Sequence, residues 1–225
     1  QKQSTIDNAL AVADVNNDGL DDIFIGNTSG YSAELYIQNK AGKFTSTSNS
    51  IFKKDKKFND NNALFFDVDG DNDLDLYVAT GNYSNTKNST LLQDRLYIND
   101  GKGNFSKGRL PKINTVTKAL AVNDFDKDGD LDVFVGGRVV PGKYPIAPKS
   151  YLLENRNGTL TDVTKTIANE IKTIGLVNDA VFSDYDKDGD KDLLLVGEWM
   201  PLTIFNNENG IFSKVKLETD NIIGW

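Results

Sequence analysis

Carboxylates stand at alternate positions in the nine-residue stretch DFDKDGDLD, Asp124 to Asp132, with a glycine at its sixth position. Like charges this close raise one another's pKa unless a cation neutralises them. Calcium takes oxygen ligands from a tightly turned loop of this kind. The stretch therefore predicts a calcium loop that turns at Gly129. We expect side-chain ligands at its first, third, fifth and ninth positions and a backbone carbonyl at its seventh: Asp124, Asp126, Asp128, Asp132 and Asp130.

The same spacing occurs three more times, so the calcium loops are 14–22, 67–75, 124–132 and 184–192. Asn16 replaces an acid and Asn72 replaces the glycine. Both changes conserve the chemistry, because an Asn carbonyl is an oxygen ligand and Asn tolerates the left-handed backbone. We expect about four structural calcium ions. The further ligand positions are Asp14, Asn16, Asp18, Leu20 and Asp22; Asp67, Asp69, Asp71, Asp73 and Asp75; and Asp184, Asp186, Asp188, Asp190 and Asp192.

EF-hand and dockerin loops share the front half of this pattern, but they need an acidic ligand at position twelve. In this chain, position twelve is apolar in every loop and falls in a run that is typical of a strand. The residues there are Ile25, Val78, Val135 and Leu195. The pattern therefore argues against a helix-flanked calcium loop.

Composition narrows the chemistry further. The chain has no cysteine and no histidine, which excludes disulfides, thiolate nucleophiles, imidazole bases and the usual zinc ligands. Its formal net charge of -8 disfavours a nucleic-acid partner, and four calcium ions would bring that charge to about zero. No apolar run is long enough to span a membrane. Because low-affinity structural calcium sites fill at the calcium concentrations found outside cells, we expect an extracytoplasmic location.

The elements around the loops repeat as well. The loops begin at 14, 67, 124 and 184, a period of 53, 57 and 60 residues. Each loop lies between two short apolar runs, and a third run followed by an Asn- and Gly-containing turn predicts a hairpin. Each unit thus predicts a four-stranded antiparallel blade, and such blades build an all-β propeller or an arc of one. Helical spacing of Ile167, Ile171 and Ile174 predicts one short helix near 165–174.

These motifs resemble the FG-GAP and VCBS-type repeat proteins, which are related to the blades of integrin α-subunit propellers. The resemblance covers nearly the whole chain and implies calcium loops between the first two strands of each blade. It also implies a functionally varied family. Because four blades are few for such a propeller, we expect region 1–225 to be one propeller region within a longer chain. The alternatives are an arc of a longer ring, a closed four-bladed ring, and half of a ring completed by a second copy.

In an antiparallel meander, successive connections alternate between the two ends of the sheet. The calcium loops are therefore expected at one end of each blade, and the irregular insertions, 82–94, 138–149 and 164–178, at the other. Variable loops on one face of a repeat scaffold are a typical binding surface. Polar residues follow the second strand of each blade at this end, and an aromatic residue lies near two of them. We expect these residues to converge as a ligand site or, alternatively, to cap strand ends. They are Asn27, Asn82, Arg138, Glu198, Trp199 and Tyr144.

The functional prediction is a non-catalytic scaffold or recognition module for a protein or a carbohydrate. Blade edges that are left open would also allow self-association. The alternative is a carbohydrate-active enzyme, a polysaccharide lyase or hydrolase. Since the chain lacks histidine, Glu198 is the acid that we would nominate for such chemistry, and no second carboxylate is paired with it by sequence.

Overall fold

The computed structural model describes residues 8–47, 49–86 and 89–217. In these residues, sixteen strands form four separate four-stranded sheets, each an antiparallel meander in chain order. The first sheet is β1 (Leu10–Ala13), β2 (Asp22–Ile25), β3 (Glu34–Gln38) and β4 (Phe44–Thr47). The second is β5 (Asp60–Phe66), β6 (Asp75–Thr80), β7 (Arg95–Asn99) and β8 (Phe105–Lys107).

The third sheet is β9 (Val116–Asn123), β10 (Asp132–Val139), β11 (Tyr151–Arg156) and β12 (Thr159–Asp162). The fourth is β13 (Leu176–Ser183), β14 (Asp192–Glu198), β15 (Thr203–Glu208) and β16 (Ile211–Lys214). Each sheet therefore corresponds to one sequence unit, and each predicted calcium loop joins the first strand of its sheet to the second. The prediction of an all-β fold built from four-stranded antiparallel blades is confirmed.

The sheets pack face to face. The first strands lie in series, since β1 contacts β5, β5 contacts β9, and β9 contacts β13. Three apolar clusters each include side chains of two successive sheets, and they contain Phe24 with Leu76, Tyr77 with Val133, and Phe134 with Leu193. All six of these side chains are buried. Burial on both faces explains why the second strands read as continuous apolar runs in the sequence.

The links between sheets carry the helical segments. The predicted helix near 165–174 is present in two parts: α2 (Thr164–Ile167) and a 3-10 turn at Asn169–Thr173. The two parts meet at Ala168, whose φ of -158° and ψ of 53° are not helical. Ile171 is buried against the cluster between the third and fourth sheets, as its spacing predicts. The predicted helical segment is confirmed, and Ala168 divides it into an α-helical turn and a 3-10 turn.

A second helix, α1 (Ser50–Lys54), lies in the link between the first and second sheets and was not anticipated. Asn49 caps its start by accepting the amide of Ile51. Phe52 anchors it, with its ring 5.4 Å from that of Phe24 and 5.2 Å from that of Tyr97. A third short segment, a 3-10 turn, occupies Thr90–Leu92. Within the residues that the structure describes, no helix has the length and apolar character needed to cross a membrane.

Candidate metal loops and ligand surface

The first carboxylate of each loop holds the turn together. Asp124 accepts the backbone amide of Asp128 at 3.1 Å and that of Gly129 at 3.0 Å. Asp14 accepts the amide of Gly19 at 2.7 Å in the same way. These bonds bring the backbone of the later loop positions back toward the first carboxylate.

Two positions of each loop use the left-handed backbone. The sixth position does so in every loop, as predicted, with φ values of 84°, 69°, 99° and 96° at Gly19, Asn72, Gly129 and Gly189. The fourth position also does so, with φ values of 59°, 79°, 61° and 66° at Asn17, Gly70, Lys127 and Lys187. The sequence carried a partial signal for the fourth position, because two of these four residues are Asn and Gly.

The ninth carboxylate joins the loop to the sheet. Asp132 is fully buried, and its two oxygens accept the amide of Phe125 at 2.9 Å and that of Asn155 at 2.8 Å. Burial is the main cause that raises the pKa of Asp132 to about 7. The equivalent Asp75 has the same pair of bonds and a pKa raised to about 6, again mainly by burial. A nearby cation would relieve the cost of keeping these groups ionised.

Three acidic groups in the described residues could hold a metal ion, since one carboxylate oxygen from each member lies within 4.8 Å of the others. The groups are Asp67, Asp69 and Asp71; Asp124, Asp126 and Asp132; and Asp184, Asp186 and Asp192. One oxygen of Asp184, Oδ1, is buried without a hydrogen-bond partner. A buried carboxylate oxygen without a donor is costly unless a cation satisfies it, so the residues present fit a metal site.

The other predicted ligands lie outside these three groups. The first loop, with Asn16 in place of an acid, is not among them. At the fifth position, Asp128 and Asp188 each accept the amide two residues on, at 2.9 and 2.8 Å. The seventh-position side chains bond elsewhere: Asp73 accepts the side chain of Asn17 from the first loop at 2.7 Å, and Asp190 pairs with Lys127 of the third loop. A ligand at the seventh position would therefore be the backbone carbonyl.

At the opposite end of the sheets, four of the predicted ligand residues come together. Arg138 lies near the end of β10, and Glu198 is the last residue of β14. Arg138 Nη2 donates to Glu198 Oε2, and the hydroxyl of Tyr144 donates to Glu198 Oε1. Trp199 Nε1 in turn donates to the hydroxyl of Tyr144. We call these four side chains the Arg138–Trp199 corner.

The electrostatics of this corner disfavour Glu198 as a general acid. The hydrogen bond from Tyr144 is the main cause that lowers the pKa of Glu198, and Arg138 adds to it. A general acid needs the opposite shift. The indole of Trp199 is 64% exposed, although its φ of 57° is unfavourable for a non-glycine residue. Such strain is typical of functional positions. The corner presents an aromatic face beside fixed polar groups.

The remaining two candidates do not join the corner. The amide of Asn27 donates to the carbonyl of Tyr31 in its own turn. The side chain of Asn82 accepts the amide of Ser84 at 2.9 Å. Asn27 and Asn82 in the first two sheets therefore cap strand ends. The corresponding residues of the third and fourth sheets, Arg138 and Glu198, contact each other.

Comparison with known families gives a direct result. A family model described as FG-GAP-like repeat matches residues 14–78 and again 67–135, which together span more than half of the 225 residues. The chain belongs to the FG-GAP-like repeat family. Both matches run from one candidate metal loop through the next, so the family match rests on the same repeats that the acidic spacing defines. A search of curated proteins gave no match.

Solved structures similar to this FG-GAP-like chain include propellers. One is an Agrocybe aegerita lectin whose structure is described as the basis of specific recognition of non-reducing terminal N-acetylglucosamine, with 16% identity, a TM-score of 0.59, and coverage of 97% of this chain and 54% of that one. Another is the Dos1 propeller, with 11% identity, a TM-score of 0.53, and coverage of 94% and 48%. The chain thus spans about half the length of these structures, and at these identities the likeness shows the fold alone.

The sequence analysis did not identify one recurring contact, which an asparagine near the end of the third strand makes in three of the four sheets. Asn99, Asn155 and Asn207, near the ends of third strands, each donate a side-chain amide at 2.8 Å to the second carbonyl of the preceding sheet's loop. The acceptors are Val15, Val68 and Phe125. The asparagines were visible as hairpin signals, and they do close turns: Asn207 also accepts the amide of Gly210 at 2.8 Å. Their second role joins each loop to the next sheet.

A buried polar network in the second sheet was also missed. Arg95 pairs with Asp60 and donates to the hydroxyl of Tyr97 at 2.9 Å, and that hydroxyl donates to Asp55 at 2.9 Å. Asp94 lies beside this network, fully buried, and burial raises its pKa to about 7. The arginine that begins an otherwise apolar strand was the only sequence signal. Its bonds are internal, so we assign the network to stability.

Proposed function

We propose that this FG-GAP-like chain is a calcium-stabilised, extracytoplasmic β-propeller module that recognises a ligand without catalysing a reaction. The ligand surface is the Arg138–Trp199 corner. The observation that carries the proposal is a hydrogen-bonded chain of four side chains that ends in the exposed indole of Trp199, at the end away from the metal loops. Recognition surfaces on repeat scaffolds occupy such irregular ends.

The chemistry of the corner favours a neutral carbohydrate. Glu198 is balanced by Arg138, so the corner carries no net charge that would select a charged ligand. A carboxylate fixed by two donors accepts hydroxyl protons from a ligand, and an exposed indole packs against the apolar face of a sugar ring. The lectin neighbour recognises N-acetylglucosamine, which makes that sugar a reasonable first probe. A protein ligand is the second candidate, because exposed aromatic and arginine side chains also anchor protein interfaces.

Calcium is the ion that suits the loops best. Their donors are carboxylate, amide and backbone oxygens, which are the ligands of hard cations. The unpartnered oxygen of Asp184 supports a cation at the fourth loop. The ion's role is structural: it supplies positive charge between the first and second strands of a sheet. Loops of this type bind calcium at the concentrations found outside cells, which supports the extracytoplasmic location.

Isothermal titration of N-acetylglucosamine and a panel of neutral oligosaccharides, in millimolar calcium, tests the ligand surface. We expect saturable binding to one of them that Trp199→Ala abolishes. Tyr31→Ala is the matched control, because Tyr31 is a 73% exposed aromatic residue that follows the second strand of the first sheet. Equal loss in both variants, or no loss in Trp199→Ala, would place the binding elsewhere.

A second measurement tests the non-catalytic part of the proposal. The same panel, with acidic and neutral polysaccharides added, is incubated with the protein and followed for new reducing ends and for ultraviolet absorbance from unsaturated products. We expect neither signal. Turnover that Glu198→Gln abolishes would overturn the proposal in favour of a carbohydrate-active enzyme.

A further inference from the structure

Three asparagines near the ends of third strands each contact two metal loops at once. The side-chain amide of Asn155 donates to the carbonyl of Val68, the second residue of loop 67–75, at 2.8 Å. The same amide donates to the carbonyl of Leu131, the eighth residue of loop 124–132, at 3.2 Å. We call Asn155 and its counterparts Asn99 and Asn207 the bridging asparagines, because each makes this pair of bonds.

The two acceptor carbonyls lie beside candidate metal ligands. Val68 stands between Asp67 and Asp69, which belong to one of the acidic groups. Leu131 directly precedes Asp132, which belongs to the next group. Hydrogen-bond partners just outside a metal site orient the ligands within it. One asparagine is therefore placed to restrain the candidate ligands of two loops.

The hairpin that follows a bridging asparagine touches the earlier loop a second time. Gly158, in the turn between β11 and β12, has a φ of 80°. A Cβ at Gly158 would lie 2.9 Å from the Cβ of Asp69, the third residue of loop 67–75. In the fourth sheet, a Cβ at Gly210 would lie 3.0 Å from the Cβ of Asp126, the third residue of loop 124–132. The third carboxylate of a loop thus lies directly against the hairpin of the next sheet.

We propose that the bridging asparagines are positioning residues for calcium, and that each serves the loop of its own sheet and the loop of the sheet before it. This inference rests on the proposed calcium role of the loops. A bridging asparagine acts through the loop backbone: its amide fixes the peptide carbonyls beside the carboxylates, so less ordering is needed when the ion binds. Calcium sites of successive sheets share a residue, and one substitution should therefore weaken two sites.

Asn155→Ala is the sharpest variant, because Asn155 Oδ1 has no hydrogen-bond partner among the described residues and the substitution therefore removes only the two donated bonds. Asn61→Ala is the matched control. Asn61 is also buried, and its amide also donates to two carbonyls, those of Gly81 at 2.8 Å and Thr117 at 2.9 Å. These bonds join the same two sheets at the end away from the metal loops. Both variants should lose similar stability in EDTA, which urea unfolding measures, and circular dichroism verifies that each is folded.

Isothermal titration of calcium into the chelator-free protein measures the number of sites and their Kd values. We expect Asn155→Ala to weaken two sites by roughly tenfold each, and Asn61→Ala to weaken none. Asp69→Asn and Asp126→Asn should lower calcium binding in the second and third loops. The effect of Asn155→Ala should therefore disappear when both of these substitutions are present.

The fourth loop supplies the counterpart measurement. Asp186→Asn, in loop 184–192, should leave the effect of Asn155→Ala intact. Asn207→Ala moves the test by one sheet and keeps the inference testable if Asn155→Ala does not fold. Its effect should disappear when Asp126→Asn and Asp186→Asn are combined.

The possible outcomes separate this inference from the calcium role itself. An Asn155→Ala protein that binds calcium as tightly as Asn61→Ala would overturn the inference and leave the calcium role standing. A loss confined to loop 124–132 would also overturn it, because the bond to Val68 would then have no part in binding. A parent that binds no calcium would overturn the proposed calcium role and this inference together.

Discussion

The two ends of the sheets follow different rules. At the metal-loop end, all four sheets use the same turn, the same ninth-position aspartate bonds and the same left-handed positions. At the opposite end no two sheets are alike: the first has a short turn closed by Asn27, the second a buried arginine network, and the third and fourth share the Arg138–Trp199 corner. Repetition marks the metal-loop end, and irregularity marks the end where we propose the ligand surface.

The difference has a physical cause. Every loop concentrates carboxylates whose repulsion must be offset, and all four loops use backbone amides for this, together with the cation that we propose. The opposite end has no such shared problem, so its insertions vary in length and contacts. Stability should therefore depend on calcium and on the loop aspartates, while changes at the Arg138–Trp199 corner should alter binding with little effect on stability.

Removal of calcium should have the largest effect. Each filled site stabilises the folded chain by about 2.7 kcal/mol when calcium is at 100 times its Kd. Filling two or more sites should raise Tm by roughly 10–20 °C, because each kcal/mol is worth about 2–4 °C in a domain of this size. Melts in EDTA and in millimolar calcium measure the shift, and magnesium serves as the control ion. Equal melting in EDTA and calcium would remove the stabilising role from the loops.

Two substitutions within the third loop should separate its two functions. Asp132→Ala removes a buried carboxylate that holds two backbone amides, so we expect a loss of about 3 kcal/mol in the free energy of unfolding in EDTA, and a larger loss in calcium because Asp132 also belongs to a candidate metal group. Asp128→Ala, or Asp188→Ala in the fourth loop, should cost about 2 kcal/mol in calcium and little in EDTA, because these residues are exposed and are predicted side-chain ligands of the ion, although they lie outside the three acidic groups. Urea unfolding in both conditions checks the difference. If Asp132→Ala were harmless in EDTA, the aspartate would act through the ion alone.

The loop end was predictable from sequence because its information is local. Nine residues specify the turn, and apolar runs on either side specify the strands, so four loops and four blades followed from spacing. The bridging asparagines escaped because their acceptors lie 84, 87 and 82 residues away in the chain. The break at Ala168 escaped because the isoleucine spacing does not show where the link must bend.

The corner was predicted only in part for the same reason. Strand parity placed Arg138 and Glu198 at one end of their sheets, and the structure joins them across 60 residues of chain. The alternation of strand direction does not show which sheets share a site. Asn27 and Asn82 were therefore included among the predicted ligand residues, although each bonds within its own turn. Which side chains meet between sheets depends on the packing angle and on loop paths, and neither is encoded in a short window.

The buried carboxyl of Asp94 in the second sheet, at the end away from the metal loops, should make stability depend on pH. Burial raises the pKa of Asp94 to about 7, and its oxygens accept bonds from the amide of Thr80 at 2.8 Å and the hydroxyl of Thr117 at 2.9 Å. A carboxyl whose pKa is higher in the folded than in the unfolded chain contributes stability below its unfolded pKa of 3.8 and loses that contribution as pH rises through 7. The parent should therefore lose stability relative to Asp94→Asn between pH 4 and pH 7, on the order of 4 kcal/mol.

Urea unfolding at several pH values, in saturating calcium, measures that difference for Asp94→Asn. Subtracting the variant from the parent cancels the titration of the loop aspartates, which both proteins share. Asp179→Asn, at an exposed aspartate of β13, is the matched control and should track the parent. A difference between parent and Asp94→Asn that stays constant over this range would mean that Asp94 is ionised in the folded chain throughout.

The smallest expected effect compares strained backbone at the two ends. Trp199 has a φ of 57° at the corner, and Lys187 has a φ of 66° in the fourth loop. Glycine adopts such angles without a steric penalty, so Lys187→Gly should stabilise the chain by about 0.5–1 kcal/mol in calcium. Trp199→Gly gains the same relief but loses the bond to Tyr144, so its stability should change by less than about 0.5 kcal/mol while ligand binding is lost. Paired urea titrations of the two variants check this. A large destabilisation by Trp199→Gly would show that the indole supports the fold, and the division between a stabilising end and a recognition end would then fail at the residue that defines it.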